Sequence, residues 1–102
     1  MPTIELLFVD GCPGHERLVP ILRRLARESG AELTLRRVDT SGQADAERFL
    51  GSPSVRVNGE DVEPGAAERA DYGLTCRLYE IDGGLSDVPA EPWIVAALGR
   101  AT

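Results

Sequence analysis

Apolar and polar positions follow two different periods along this chain, and the switches between them mark out the elements. Ile4 to Val9 is apolar everywhere except Glu5 and stops at Asp10-Gly11, the pattern of a strand buried on both faces and therefore central in a sheet. From about Glu16 to Glu28 the spacing becomes helical. Leu18, Ile21, Leu22 and Leu25 share one side, arginines occupy the other, and Gly30 stands where a left-handed cap would close the helix. Pro20 falls inside this helix, where it deletes a backbone hydrogen bond at ~3 kcal/mol unless its surroundings compensate. Glu32 to Val38 returns to period two, so strand, helix and strand form a βαβ unit with parallel strands.

Asp39-Thr40-Ser41-Gly42 supplies capping residues for a short helix running through Ala46, Phe49 and Leu50 to Gly51. Ser54-Val55-Arg56-Val57 and Asp61-Val62 then flank Asn58-Gly59, a strong hairpin signal because a type I′ turn needs positive φ at both central residues. Glu63 to about Leu74 has turn formers and alanines but little periodicity, and reads as a long loop with one helical turn near Ala66 to Ala70. Cys76 to Ile81 alternates again, as a strand or extended segment stopped by Asp82-Gly83-Gly84. A last helix starts near Pro89, tolerates Pro92 in its first turn and turns Trp93, Ile94, Ala97 and Leu98 towards the sheet. The expected fold class is α/β.

With 102 residues and 42% hydrophobic content, the chain (residues 1–102) is one domain with a modest core. No apolar run approaches the ~20 residues of a membrane span, and the N-terminus lacks the basic and apolar regions of a secretory signal. A formal net charge of −6 repels phosphate backbones and argues against nucleic-acid binding. Arg17, Arg23, Arg24 and Arg27 fall together on the first helix and read as its solvated face. Two cysteines, Cys12 and Cys76, do not make a secreted disulfide framework, so a reducing, cytoplasmic setting is expected.

The candidate chemistry lies in Gly11-Cys12-Pro13-Gly14-His15, which joins the end of the buried strand to the start of the helix. Unpaired N–H groups and the positive end of the helix dipole stabilise a thiolate there, which predicts a low-pKa, nucleophilic Cys12. His15, one turn on, is placed to hydrogen-bond the thiol or pair with the thiolate. Asp10 opposes the effect if it lies close. A buried, inert cysteine is the alternative, but a Gly/Pro-rich turn beside a histidine is not where core cysteines are expected. For Cys76 two readings stand, an inward-facing strand residue or a resolving or ligating thiol.

Cys12-Pro13-Gly14-His15-Glu16-Arg17-Leu18-Val19-Pro20-Ile21-Leu22 resembles the active-site segment of thioredoxins, where a CxxC motif opens a helix and a kinking proline follows eight positions after the first cysteine. Gly51-Ser52-Pro53-Ser54-Val55 is similar to that family's loop in which a cis-proline begins a hairpin strand and packs on the active-site sulfur. The resemblance spans Thr3 to about Val62 and the last helix. It implies a minimal thioredoxin-like core, a βαβ unit plus a ββα hairpin and helix around a four-stranded mixed sheet, with the strand after the hairpin at its edge. It also implies a cis Ser52-Pro53 bond with the Pro53 ring against Cys12, and a substrate groove formed by Pro13, Gly14, Ser52 and Pro53. Two features depart from the family: His15 replaces the second cysteine, and Asp10-Gly11 stands where a tryptophan is usual. Tyr72-Gly73-Leu74-Thr75-Cys76-Arg77-Leu78-Tyr79 resembles a group of small thioredoxin-like proteins with a G-L-[ST]-C-R-x-Y segment, some of them likened to alkylmercury lyases.

The function expected from these residues is thiol-based redox chemistry, as a thiol–disulfide oxidoreductase or redox sensor. Cys12 is the nucleophile, His15 tunes it, Cys76 resolves it, and the partner is a protein or small-molecule thiol or disulfide. No cofactor is expected. One alternative is a Cys12/Cys76 site for mercury or another soft cation. The other is a non-catalytic interaction module that contacts its partner through the 63–75 loop.

Overall fold

The computed structural model describes residues 2–101. Strand β1 (Thr3–Phe8) runs through the middle of a four-stranded mixed sheet. β2 (Glu32–Arg37) is parallel to it on one side and β3 (Ser54–Val57) antiparallel on the other, and β4 (Glu60–Asp61) completes the order β2-β1-β3-β4. The centre falls to β1 because its apolar residues serve two cores at once. Ile4 and Leu6 face one way, onto Leu18, Leu22 and Leu25 of helix α1 (Pro13–Ser29) and Ile94, Ala97 and Leu98 of helix α3 (Glu91–Arg100). Leu7 faces the other way, onto Ala44 of the short helix α2 (Ser41–Ala46) and onto Phe49. Helices therefore cover both faces of the sheet. Among the described residues no helix is long and apolar enough to cross a membrane.

The local signals act largely as read. Gly30 closes α1 at φ 72°, Thr40 and Gln43 form a reciprocal capping box on α2, and the long loop contains one 3₁₀ turn at Ala66–Glu68. Asn58 and Gly59 take φ 51° and 84° in the β3–β4 hairpin. Pro20 lies inside α1.

Several boundaries differ. Helix α1 begins at Pro13, three residues before the helical spacing becomes visible, because a proline suits the first helical position and the apolar face starts only where the helix meets the sheet. Helix α2 stops at Ala46 and Arg48 turns to φ 55°, so Phe49 and Leu50 reach the core from beyond the helix. Helix α3 starts at Glu91 rather than near Pro89. The largest difference follows the loop. The segment expected at the edge of the main sheet instead forms a separate two-stranded ribbon, β5 (Tyr79–Ile81) with β6 (Gly84–Ser86). Asp82 and Gly83 adopt φ 52° and 80°, so this pair is the ribbon's hairpin turn and not a terminator.

The Asn58-Gly59 turn gives a clean test of backbone geometry. No atom lies within 4 Å of a Cβ built on Gly59, so only the positive φ opposes a side chain there. Gly59→Ala should lower the unfolding free energy by about 1 kcal/mol in urea titration, with no change in secondary structure.

Candidate functional site

Cys12 is the residue that caps the N-terminus of α1, and its side chain makes no capping hydrogen bond. Asp10-Gly11 turns the chain out of β1, with Gly11 at φ 79°, and Pro13 starts the helix. The next residue, Gly14, is buried in a tight junction. A Cβ there would lie 2.6 Å from the Asp87 carbonyl oxygen and 3.2 Å from Pro53 Cδ, so only glycine lets the helix start this close to both. Ser52-Pro53 is a cis peptide, as expected, and the structure lays the Pro53 ring on Gly14. Gly14, Ser52 and Pro53 are buried, while Pro13 is exposed. Cys12 itself is only 4% exposed, and an ion pair from Arg17 to Asp87 ties the segment before α3 across this helix terminus.

His15 is held in one orientation. Its ring stacks on Phe8 with centroids 3.9 Å apart and planes 7° from parallel, and its Nδ1 lies 3.3 Å from the Cys12 carbonyl oxygen. A carbonyl only accepts, so Nδ1 carries a proton, which in the neutral ring leaves Nε2 as the acceptor. The hydrogen bond expected between His15 and the Cys12 thiol is replaced by this bond to the same residue's backbone.

Cys76 is exposed, which removes the inward-facing strand reading. It lies outside β5, in a lone parallel bridge opposite Ser52. Ser52 N donates to Thr75 O and Arg77 N donates to Ser52 O, each at 2.8 Å. Ser52 also ties this region to β1, its Oγ accepting from Val9 N at 3.1 Å. Ser52-Pro53 is thus the common neighbour of both cysteine segments. Residue 14 of the Cys12 turn packs on Pro53, and residue 76 pairs with Ser52.

Beneath Cys76 lies a polar cluster that the sequence did not announce. Arg77 is 2% exposed. Its Nη1 donates to Ser54 Oγ at 2.9 Å and Asp61 Oδ2 at 2.7 Å, and its Nη2 to Asp61 Oδ1 at 3.0 Å and Glu63 Oε1 at 2.7 Å. Nε has no partner among the described residues, and the guanidinium stacks 4.5 Å over the Tyr79 ring. Burial works against its charge, but the bonds to Asp61 and Glu63 outweigh it and hold its pKa above the ordinary arginine value. Tyr79 is fully buried, and its hydroxyl donates to the Pro53 carbonyl. The alternation in Cys76 to Ile81 is real, but its inward set is Arg77 and Tyr79. The available signal was the acid pair Asp61 and Glu63 two residues apart, a ready partner for one buried arginine.

Among the described residues no three His, Cys, Asp or Glu side chains converge on a metal position, so a soft-cation site would rest on Cys12 and Cys76 alone. No protein-family model matches the sequence, and no curated protein matches it.

Two predictions follow from the cluster. Arg77→Met leaves Asp61, Glu63 and Ser54 without their shared donor and should destabilise the fold by about 3 kcal/mol in urea titration. Arg77→Lys should recover only part of this, because an ammonium cannot reproduce the fork across two carboxylates. The second concerns Tyr79, whose phenol burial raises well above the ordinary 10.0, with Arg77 pulling the other way. The folded phenol keeps its proton at pH values where the unfolded chain has lost it. Its contribution is therefore complete below pH 10.0 and declines as pH rises further. In a Tyr72→Phe background, tyrosinate absorbance should appear only together with loss of helical circular dichroism, and ionisation near 10.0 in the folded protein would contradict the burial.

Proposed function

We propose that this protein is a thiol–disulfide redox protein of thioredoxin-like fold, with Cys12 as nucleophile and Cys76 as resolving thiol. The observation that carries the reading is the bracketing of Ser52-Pro53 by the two cysteine segments, one through Gly14 against Pro53 and the other through backbone bonds to Ser52. Further support comes from the β2-β1-β3-β4 order with helices on both faces and from the cysteine at the start of α1. His15, locked with its Nδ1 proton on the Cys12 carbonyl, offers Nε2 as proton acceptor.

The chemistry balances with a disulfide as oxidant. Cys12 gives up its proton, its sulfur attacks one sulfur of the substrate disulfide, and the other leaves as a thiolate. Cys76, deprotonated in turn, attacks the Cys12 sulfur of the mixed disulfide and releases the second substrate thiolate. Two electrons pass from the two cysteines to the substrate, and a Cys12–Cys76 disulfide remains. It would close a long loop and on the chain-entropy account stabilise the oxidised form by about 4 kcal/mol.

The test is incubation of wild type, Cys76→Ser and Cys12→Ser with oxidised glutathione, followed by mass spectrometry of the intact chain. The expected result is an intramolecular disulfide in the wild type, and a stable glutathione adduct on Cys12 when Cys76 is absent. His15→Asn keeps a donor for the Cys12 carbonyl but has no base, and should slow adduct formation on Cys12 by at least about tenfold. Wild type that forms only adducts, or a Cys12 that stays unmodified, overturns the proposal.

A further inference from the structure

A groove of about 580 Å³ opens beside the Arg77 cluster, and neither cysteine, His15 nor Pro53 lines it. Its size falls within the ~300–1,000 Å³ of small-molecule sites. Leu50 and Val62 supply buried apolar floor, and the half-buried Trp93 supplies an aromatic wall.

The charges around this floor are unevenly satisfied. Of the groove's carboxylates, Asp61 and Glu63 are occupied by Arg77 from beneath, and Glu47 is paired with Arg36 and Arg56. Glu60, at the exposed hairpin end, has no ion pair among the described residues. On the cationic side, Arg56 and Arg69 are engaged. The guanidinium groups of Arg48 and Arg100 have neither an ion pair nor a hydrogen bond among the described residues. Among the described residues, two unpaired arginines and one unpaired carboxylate thus line the groove, in a chain whose net charge is −6.

Arg48 is also an unusual residue for its backbone. It stands just past the end of α2 at φ 55°, a conformation that disfavours any residue with a Cβ and is ordinarily filled by glycine or asparagine. The backbone there is braced from outside, because Arg56 Nη2 donates to the carbonyls of Glu47 and Arg48. What the arginine adds at this position is a guanidinium at the groove.

We infer that this groove is a binding site for a small amphipathic organic monocarboxylate, whose apolar body lies on Leu50, Val62 and Trp93 and whose carboxylate is taken by Arg48 and Arg100. A carboxylate matches the planar fork of a guanidinium, and a single negative charge matches the small surplus of free cation. The inference is independent of the thiol chemistry.

Trp93 is the only tryptophan in the chain and reports on the groove directly. Its fluorescence is to be titrated with octanoate and, in parallel, with octanol, which carries the same chain without charge. Octanoate should give a saturable change, and octanol should require at least tenfold higher concentration. Arg48→Gly is the decisive variant, because glycine suits φ 55° better than arginine and the fold should be at least as stable. It should nevertheless weaken octanoate binding by about tenfold, with Arg100→Gln adding to the loss. Cys12→Ser should bind as wild type does, so this result does not depend on the thiol test. No saturable response to octanoate, equal response to octanol, or undiminished binding by Arg48→Gly with Arg100→Gln would each overturn the inference.

Discussion

Burying one guanidinium organises the half of the molecule that lies beyond the hairpin. An arginine taken out of water carries a penalty of several kcal/mol unless its donors are met, and Arg77 meets that demand at its two terminal nitrogens with side chains from three places: Ser54 of β3, Asp61 of β4 and Glu63 at the mouth of the long loop. These partners lie far apart in sequence from Arg77, so the loop must return across the hairpin to deliver it. Cys76, its immediate neighbour, is thereby set against Ser52, and Tyr79, two residues on, is driven under Pro53. The second thiol is positioned by the electrostatics of the residue beside it.

The first half of the chain was legible because its signals are local. A run with a single charged position made β1 central, Gly30 closed α1, and Asn58-Gly59 turned the hairpin, each through a preference that operates within a few residues. Ser52-Pro53 was legible through likeness to a known segment. Beyond Val62 the determinants become non-local and the reading thins. The parity of Cys76 to Ile81 cannot be fixed from the segment itself, since either face carries a charge, Arg77 on one and Glu80 on the other. Only the acids of the hairpin decide it. Asp82-Gly83 reads as a stop because nothing in the sequence shows that three residues on each side pair. Cys12 and His15 lie one helical turn apart, as their spacing implies, yet the bond between them goes to a carbonyl, with the ring stacked on Phe8.

Asp61 and Glu63 belong to two neighbourhoods at once. Their carboxylates hold Arg77 on the inner side, while the same residues line the groove on the outer side. The groove and the Cys76 segment thus share one set of ion pairs, through Arg77 on one side and its two acids on the other. Buried charges that share partners in this way respond together when one is removed, which sets this region apart from the leucine-packed body under α1 and α3.

The sheet's outer strands have a consequence for behaviour in concentrated solution. β2, the longer edge, carries Glu32, Arg36 and Arg37 along its length, and β4 is only two residues long. Charged or very short edges are poor templates for a strand from another molecule. The β5–β6 ribbon lacks this protection: it stands apart from the main sheet and exposes Leu85 at 72%, with Leu78 just before it exposed at 57%. Addition of a foreign strand is therefore disfavoured along the main sheet, and the ribbon carries no such guard.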